Sequence, residues 1–489
     1  MSVQYSDRNK VCPKHFMGAR MKMRFSISKF MLPGLVVVMM AFLVASCGDF
    51  KKTAVVAPPS TEGKVDFTSY VALGNSLVAG YQSGALYESS QEYSYPNIIA
   101  QQAGIAMGTK VVFNQPLISD PGFGVSGTTP VGQLEVTNLA TNPPTIAPAT
   151  AASPTPINAT TVLQPYNNLG VPGAILSDMM DTTSFSKTNP YFNIVLRNPV
   201  FGKSCVQQAL ALHPTFITIE VGDNDILGYA TAGGLVPYTP VQAFQAEFDT
   251  LMNTLLTGAP NAKFAIANIP DVTVIPFFTT IKPFIYGPNG QPIVNSNGSH
   301  LPMFVAQHGQ TTGTPADTLN DLILLTGISA LESGAGTSPS NPMPDQYVLD
   351  ASEVATAKSI TDQYNQTIAA VAALYPTRVA LVNIHDFLNN VARYGYVSDG
   401  ISFTSAFVAG GLFGLDGIHP TCRGYGILAN EFITTINKTF GSNIPVVAIS
   451  TIPSSIAIAG LSSRTTVLPR ISHDGLRSVL WLFDHHGSY

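Results

Sequence analysis

Short apolar runs alternate with helix-like stretches along most of this chain, and that alternation constrains the fold more than any other feature. Tyr70-Val71-Ala72-Leu73, Lys110–Asn114, Phe216–Val221, Phe264–Asn268 and Val379–Ile384 are too short for helices, and their consecutive apolar residues suit strands buried on both faces. Between them, Gln242–Leu256 places Phe244, Phe248, Leu251, Met252 and Leu255 on one helical stripe. Ser352–Leu374 and Gly424–Ile436 read as helices as well. Strands alternating with helices predict an α/β fold, with a parallel sheet covered on both faces. A chain of 489 residues is long for one domain, but an α/β domain with large loop insertions reaches that length. Two stretches break the alternation and read as insertions: 126–165, rich in Thr, Pro, Ala and Asn, and 275–345, apolar pieces mixed with Gly, Pro and Asn. No internal repeat is visible. Residues 441–489 read as a C-terminal extension. Its end gains arginines, histidines and Trp481, the only tryptophan, and no chemistry is assigned to it.

The N-terminus reads as a targeting segment. Lys22, Arg24 and Lys29 precede an apolar run from Phe30 to Val44, which is short of the ~20 residues a spanning helix needs. The run ends in Leu43-Val44-Ala45-Ser46-Cys47-Gly48, which resembles a bacterial lipobox. That resemblance implies cleavage before Cys47, lipid on Cys47, and a place in the cell envelope facing periplasm or cell surface. An ordinary signal peptide with a chance cysteine, or an uncleaved anchor helix, remains the alternative. Residues 1–46 would be the signal, with 1–20 upstream of the true start, and 47–66 a polar, Pro-containing tether. Seven basic residues stand against Asp7 alone within 1–46, so the rest of the chain carries a net charge of −11 against −5 for the whole. A body this acidic lacks the clustered Lys and Arg that phosphate binding needs, which excludes a nucleic-acid partner. Of the four cysteines, Cys205 and Cys422 would remain with Cys47 acylated and Cys12 removed. They could pair in an oxidising compartment or stay separate buried thiols.

Four local blocks carry side chains suited to ester chemistry. Gly74-Asn75-Ser76-Leu77 follows the first strand directly, where parallel sheets place ligands and a helix N-terminus favours developing negative charge. Asn168-Leu169-Gly170-Val171-Pro172-Gly173-Ala174 offers glycines that let a backbone N–H approach a carbonyl closely. Gly222-Asp223-Asn224-Asp225 ends the Phe216–Val221 run with an amide that can donate to an oxyanion. Asp416-Gly417-Ile418-His419-Pro420 sets an acid and an imidazole three residues apart, so the carboxylate can hold Nδ1–H and leave Nε2 to accept a proton. Each block alone has a bland reading as a helix cap or polar turn.

The four together, in this order, resemble the SGNH/GDSL hydrolase superfamily: a G-D-S-L-like block, a Gly block, G-x-N-D, and D-x-x-H near the end. The resemblance spans about Val65 to Phe440 and implies a hydrolase domain over 67–440. It also implies a three-layer α/β/α sandwich with a flavodoxin-like parallel sheet. By position it assigns Ser76 as nucleophile, His419 as base and Asp416 as its orienting acid. Ser76, Gly173 and Asn224 become the oxyanion donors. The family's aspartate beside the serine is Asn75 here. Asn268-Ile269-Pro270-Asp271, with Pro276-Phe277-Phe278 beyond, is similar to a segment of the longer, lipase-like branch, which favours a lipid or acyl ester as substrate.

The resulting expectation is a serine esterase that needs no cofactor or metal, held at a membrane by lipid on Cys47. The oligomeric state stays open. A carbohydrate O-acetylesterase with the same triad, and a surface-anchored binding lipoprotein without activity, are the alternatives. Gly122-Phe123-Gly124-Val125-Ser126-Gly127 matches G-x-G-x-x-G but precedes Thr-Thr-Pro rather than a helix, so dinucleotide binding is set aside. G-x-S-x-G, a P-loop and H-E-x-x-H do not occur. His213, His300, His308 and His385 have no matching local constellation and read as structural.

Overall fold

Five parallel strands form the central sheet of the computed structural model, which describes residues 65–138, 145–287, 290–454 and 470–483. These are β1 (Tyr70–Gly74), β2 (Asn168–Gly170), β3 (Phe216–Glu220), β4 (Lys263–Ala267) and β5 (Val379–Val382). Their spatial order is β2-β1-β3-β4-β5, with every pairing parallel. That is the flavodoxin-like order, and its reversal between β1 and β3 leaves a crevice at their C-terminal ends. β1, β2 and β3 are buried along their whole length, as expected of strands covered on both faces.

One strand assignment needs correction. Lys110–Asn114 is not a strand, and the edge position belongs to Asn168–Gly170. Only Asn114 reaches the sheet, where its carbonyl accepts N–H groups of Asn167 and Asn168 at 2.9 and 3.1 Å. The apolar residues before it serve other ends: Phe113 stacks on Tyr70, and Val112 is exposed.

The helices follow the sequence pattern closely. They are α1 (Ser76–Ala79), α2 (Tyr95–Met107), α3 (Cys205–Ala211), α4 (Asn224–Thr231), α5 (Val241–Gly258), α6 (Ala351–Leu374), α7 (Ile384–Tyr394) and α8 (Cys422–Phe440). α2 packs on α8, with the Tyr95 and Phe432 rings stacked at 4.6 Å. α5 packs on α6 and α3, with Phe244 and Tyr364 stacked at 3.9 Å. These helices flank the sheet and complete the α/β/α layers. α6 starts on a capping box, in which Asp350 accepts the Ser352 and Glu353 N–H groups and Glu353 reaches back to the Asp350 N–H.

The region of the first insertion contains a second, four-stranded sheet of Gly124–Ser126, Thr129–Asn138, Thr145–Thr150 and Arg470–Ile471. The last strand brings the C-terminal residues back onto the body. It leads into α9 (His473–Leu480), after which Trp481, Leu482 and Phe483 are buried. Among its described residues the second insertion carries two-residue strands, isolated bridges and short helical turns. Cys205 and Cys422 are separate buried thiols, and burial pushes the Cys205 thiol up to about 12. Residues 1–64, which hold the signal-like run, Cys47 and most of the tether, lie outside the described residues. Among the described residues no helix is long and apolar enough to cross a membrane.

Phe432 is fully buried between α8 and α2 and away from the crevice. Phe432→Ala should therefore cost ~3–5 kcal/mol of unfolding free energy through lost burial and the cavity left behind. Urea titration of the two proteins measures this directly; a midpoint equal to wild type would contradict the α2–α8 packing.

Candidate active site

The turn after β1 is shaped by steric necessity. Gly74 has φ +153°, and a Cβ there would stand 1.8 Å from the Glu220 carbonyl oxygen at the end of β3. Only glycine lets the two strand ends approach this closely. Asn75 then caps α1, its side-chain oxygen accepting the Leu77 N–H at 3.0 Å, and Ser76 opens the helix. The Ser76 hydroxyl lies 2.8 Å from His419 Nε2.

His419 is held from behind. Its Nδ1 is 3.0 Å from Asp416 Oδ2, which also accepts the Gly84 N–H at 3.0 Å. Asp416 Oδ1 accepts the N–H groups of Ile418 and His419 at 3.0 and 2.9 Å. Burial alone would raise the Asp416 carboxyl, but the adjacent imidazole and these hydrogen bonds outweigh it and hold the group below the usual carboxylate range. The Tyr81 ring packs on the imidazole with centroids 4.8 Å apart, and its hydroxyl donates to the Gly84 carbonyl at 2.6 Å. Ser83 Oγ accepts the Leu415 N–H at 3.1 Å. The loop 81–84 thus supports both Asp416 and His419.

The two remaining site residues sit on the far side of Ser76. Asn224 begins α4, and its amide donates to the Ala174 carbonyl at 2.8 Å, which fixes its orientation and leaves a second N–H. Gly173 lies in the turn Val171–Ala174, tied to β1 by the Val171 N–H on the Gly74 carbonyl at 2.9 Å. Its φ of +78° suits glycine, and a Cβ would come within 3.0 Å of the Leu482 carbonyl oxygen. Ser76, Asn224 and His419 line one cavity, with Asp416 behind; Gly173 belongs to the adjoining turn rather than to the cavity wall.

That cavity encloses about 790 Å³, counting the part open to solvent. Apart from the catalytic-type side chains its wall is mostly apolar, with Leu227, Val272, Ile275, Phe387 and Phe413 prominent. Pro270, from the Asn268–Asp271 segment, is part of it. Catalytic-type polar groups converging on one end of an apolar cleft are what a site for an apolar ligand with one reactive polar centre requires. The arrangement can ionise a hydroxyl, carry its proton on an imidazole and stabilise an anion nearby.

Among the described residues one cluster has metal-ligand spacing: His308, Asp350 and Glu353. Asp350 and Glu353 are the capping box of α6, and His308 is exposed with Nδ1 3.5 Å from Asp350. The positions of Asp350 and Glu353 are explained by helix capping.

Sequence reading missed Gly84, Tyr81 and the carboxyl pair Glu220 and Asp223. Gly84 and Tyr81 act across more than 330 positions of chain, so no local spacing marks them.

A family model, GDSL-like Lipase/Acylhydrolase, matches residues 70–432, and the chain belongs to that family of hydrolases. The crystal structure of a protein from Parabacteroides merdae assigned as a GDSL-like lipase is 12% identical and covers 76% of this chain and 96% of its own. Its TM-score of 0.30 is too low for residue correspondences. The sequence matches no curated protein.

The depressed Asp416 carboxyl has a consequence for stability. The ionised form stabilises the fold above the ordinary carboxylate value near 4, and that contribution is lost as pH falls through the lower folded value. Asp416→Asn should lower the melting temperature at pH 7 and flatten its decline between about pH 5 and 2. A melting curve series with the same acid slope in both proteins would contradict the ionised, hydrogen-bonded Asp416.

Proposed function

We propose that this protein is a serine ester hydrolase that works through an acyl-enzyme and acts on acyl or lipid esters outside the cytoplasm. The observation that carries this reading is the chain Ser76–His419–Asp416, with hydrogen-bond distances of 2.8 and 3.0 Å at the polar end of an apolar cavity.

Ser76 Oγ attacks the ester carbonyl as His419 Nε2 takes its proton. Asp416 holds the imidazole through Nδ1–H and stabilises the imidazolium that forms. The carbonyl oxygen, now negative, is met by the Ser76 and Gly173 N–H groups and the Asn224 amide. Collapse of this intermediate expels the alcohol, which receives the proton from His419 and leaves the acyl group on Ser76. Water then attacks with His419 as base, and the acid product departs. The apolar wall favours an acyl chain over the acetyl group of a polar sugar, because a hydrocarbon gains about 0.8 kcal/mol for each methylene it buries there.

Export and acylation at Cys47 complete the reading and rest on the lipobox-like sequence alone. Bacterial cells given radiolabelled palmitate should label the wild-type chain and not Cys47→Ser; equal labelling would remove the anchor from the proposal.

The activity itself is tested on p-nitrophenyl acetate, butyrate and palmitate. Ser76→Ala should abolish turnover, Asp416→Asn should reduce kcat by ~10³–10⁴, and Asn224→Ala by ~10²–10³. The acetate ester should be the poorest of the three by kcat/KM. Equal rates in wild type and Ser76→Ala, or no turnover and no labelling by a serine-directed phosphonate, would reject the enzyme reading in favour of a binding protein.

A further inference from the structure

Three polar side chains lie buried beneath the Ser76 turn without a part in the chemistry described above. Asn75 donates from Nδ2 to Asp223 Oδ2 at 2.7 Å. Its other side-chain atom accepts the Leu77 N–H, so the orientation of the amide is fixed from both sides. Asp223 in turn meets the carboxyl of Glu220, the last residue of β3. Asn75, Asp223 and Glu220 are 1%, 5% and 4% exposed, so all three are largely withdrawn from bulk water.

The chemistry of this contact is constrained. Ionised carboxylates only accept hydrogen bonds. Among the described residues no other group donates to the buried Glu220 Oε2 or Asp223 Oδ1. Two acceptors in contact are satisfied only if one proton lies between them, as in paired carboxyls elsewhere. Burial first, and then the neighbouring Asp223, hold the Glu220 carboxyl far above its ordinary range, which places the proton on Glu220. The other titratable groups facing Glu220 are the phenols of Tyr95 on α2 and Tyr425 on α8, both kept neutral chiefly by burial. The hydrogen-bond order is therefore Asn75 to Asp223 from one side and Glu220 to Asp223 from the other.

This unit bridges the ends of β1 and β3 across the crevice. Asn75 directly precedes Ser76, and Asp223 directly precedes Asn224. We propose that Asn75, Asp223 and Glu220 form a proton-sharing clamp that fixes the spacing of Ser76 and Asn224, and that asparagine is required at 75 because an aspartate there would face the Asp223 carboxylate. This rests on the ester-hydrolase reading for its effect on turnover, but not for its effect on the fold. The three residues are positioning residues; none touches the reacting atoms.

The clamp predicts that restoring the family's aspartate harms this protein. Asn75→Asp should lower kcat for p-nitrophenyl butyrate by at least about tenfold with little change in KM, since a buried donor is lost and two carboxylates meet. Adding Asp223→Asn restores one donor and one acceptor with their direction reversed. The double variant should regain at least about tenfold over Asn75→Asp, the non-additivity expected of partners in direct contact. Glu220→Gln keeps a donor facing Asp223 at every pH, so its kcat should fall off at higher pH than that of wild type. Wild-type activity in Asn75→Asp, no recovery in the double variant, or an unmoved alkaline limb in Glu220→Gln would overturn the positioning role.

Melting temperatures measured on the same four proteins need no substrate. A carboxyl raised in the fold stabilises it below its unfolded value near 4, and that contribution is lost as pH rises through the folded value. Glu220→Gln should flatten that decline, and Asn75→Asp should melt lower than wild type with recovery in the double variant. If wild type fails to turn over esters, the functional reading falls while the melting data still decide the clamp; a double variant that melts no higher than Asn75→Asp would refute it.

Discussion

β1 and β3 end so close together that Gly74 and the Glu220 carbonyl leave no room for a Cβ, and the rest of the site depends on that approach. The strand order places the reversal of winding between these two parallel strands. Ser76 leaves from one end and Asn224 from the other, so a hydroxyl and an amide converge without a long loop to position either. The Val171–Ala174 turn closes the third side by hydrogen-bonding to both Gly74 and Asn224. His419 and Asp416 arrive last in sequence, on the turn before α8, and their geometry is settled by a turn of Asp416 onto its own backbone and by the Gly84 N–H. The sheet thus supplies the precision and the loops the chemistry.

Much of this was legible in the sequence where local pattern and tertiary role agree. β1, β3, β4 and β5 are central or covered strands, and burial on both faces leaves uninterrupted apolar runs. α5 and α6 show a stripe because one face meets the sheet or its partner helix. β2 was not legible as a strand: Asn-Leu-Gly has low strand propensity, and its place is held by tertiary hydrogen bonds, among them Asn168 to the Val78 carbonyl and Asn167 to the Tyr70 carbonyl. Lys110–Asn114 misled for the opposite reason, since Val111 packs into the core, Val112 faces solvent and Phe113 joins a ring stack, with no ladder among them. The clustering of Ser76, His419 and Asp416 was legible only through the resemblance, because each local block has an equally good reading as a cap or turn. Gly84 shows the limit most clearly: its contribution is a backbone N–H, which no side-chain pattern records.

The C-terminal residues tie into the site through a run of aromatic contacts. Trp481 meets Tyr191 at 5.9 Å, Tyr191 meets Tyr81 at 5.9 Å, and Tyr81 packs on His419 at 4.8 Å. The composition of the last stretch, with its arginines and histidines, concealed this, because the residues that dock are the few apolar ones among them. Ring pairs of this kind add to simple area burial, and their rigid edges constrain where the imidazole can move. A segment that reads as an appendage is thereby coupled to the orientation of the His419 ring plane, through contacts that sequence separation hides.

Buried acids in this crevice reach opposite ionisation states, and hydrogen-bond donors decide which. Asp416 is 1% exposed, yet three backbone N–H donors and an imidazole compensate its desolvation and keep it charged. Glu220 is 4% exposed, faces another carboxyl and receives no donor from its surroundings, so it keeps its proton. The contrast follows from where each residue sits. Asp416 occupies a turn whose backbone N–H groups point inward, whereas Glu220 ends a parallel strand whose backbone donors are committed to the ladder. A negative charge is useful opposite the imidazole, where it stabilises imidazolium. A second one beneath Ser76 would oppose any anion forming at that turn, as the proposed mechanism requires, and sharing a proton keeps the net charge there to that of a single carboxylate. Asn75 belongs to the same logic, because an amide at that position adds a donor without adding charge.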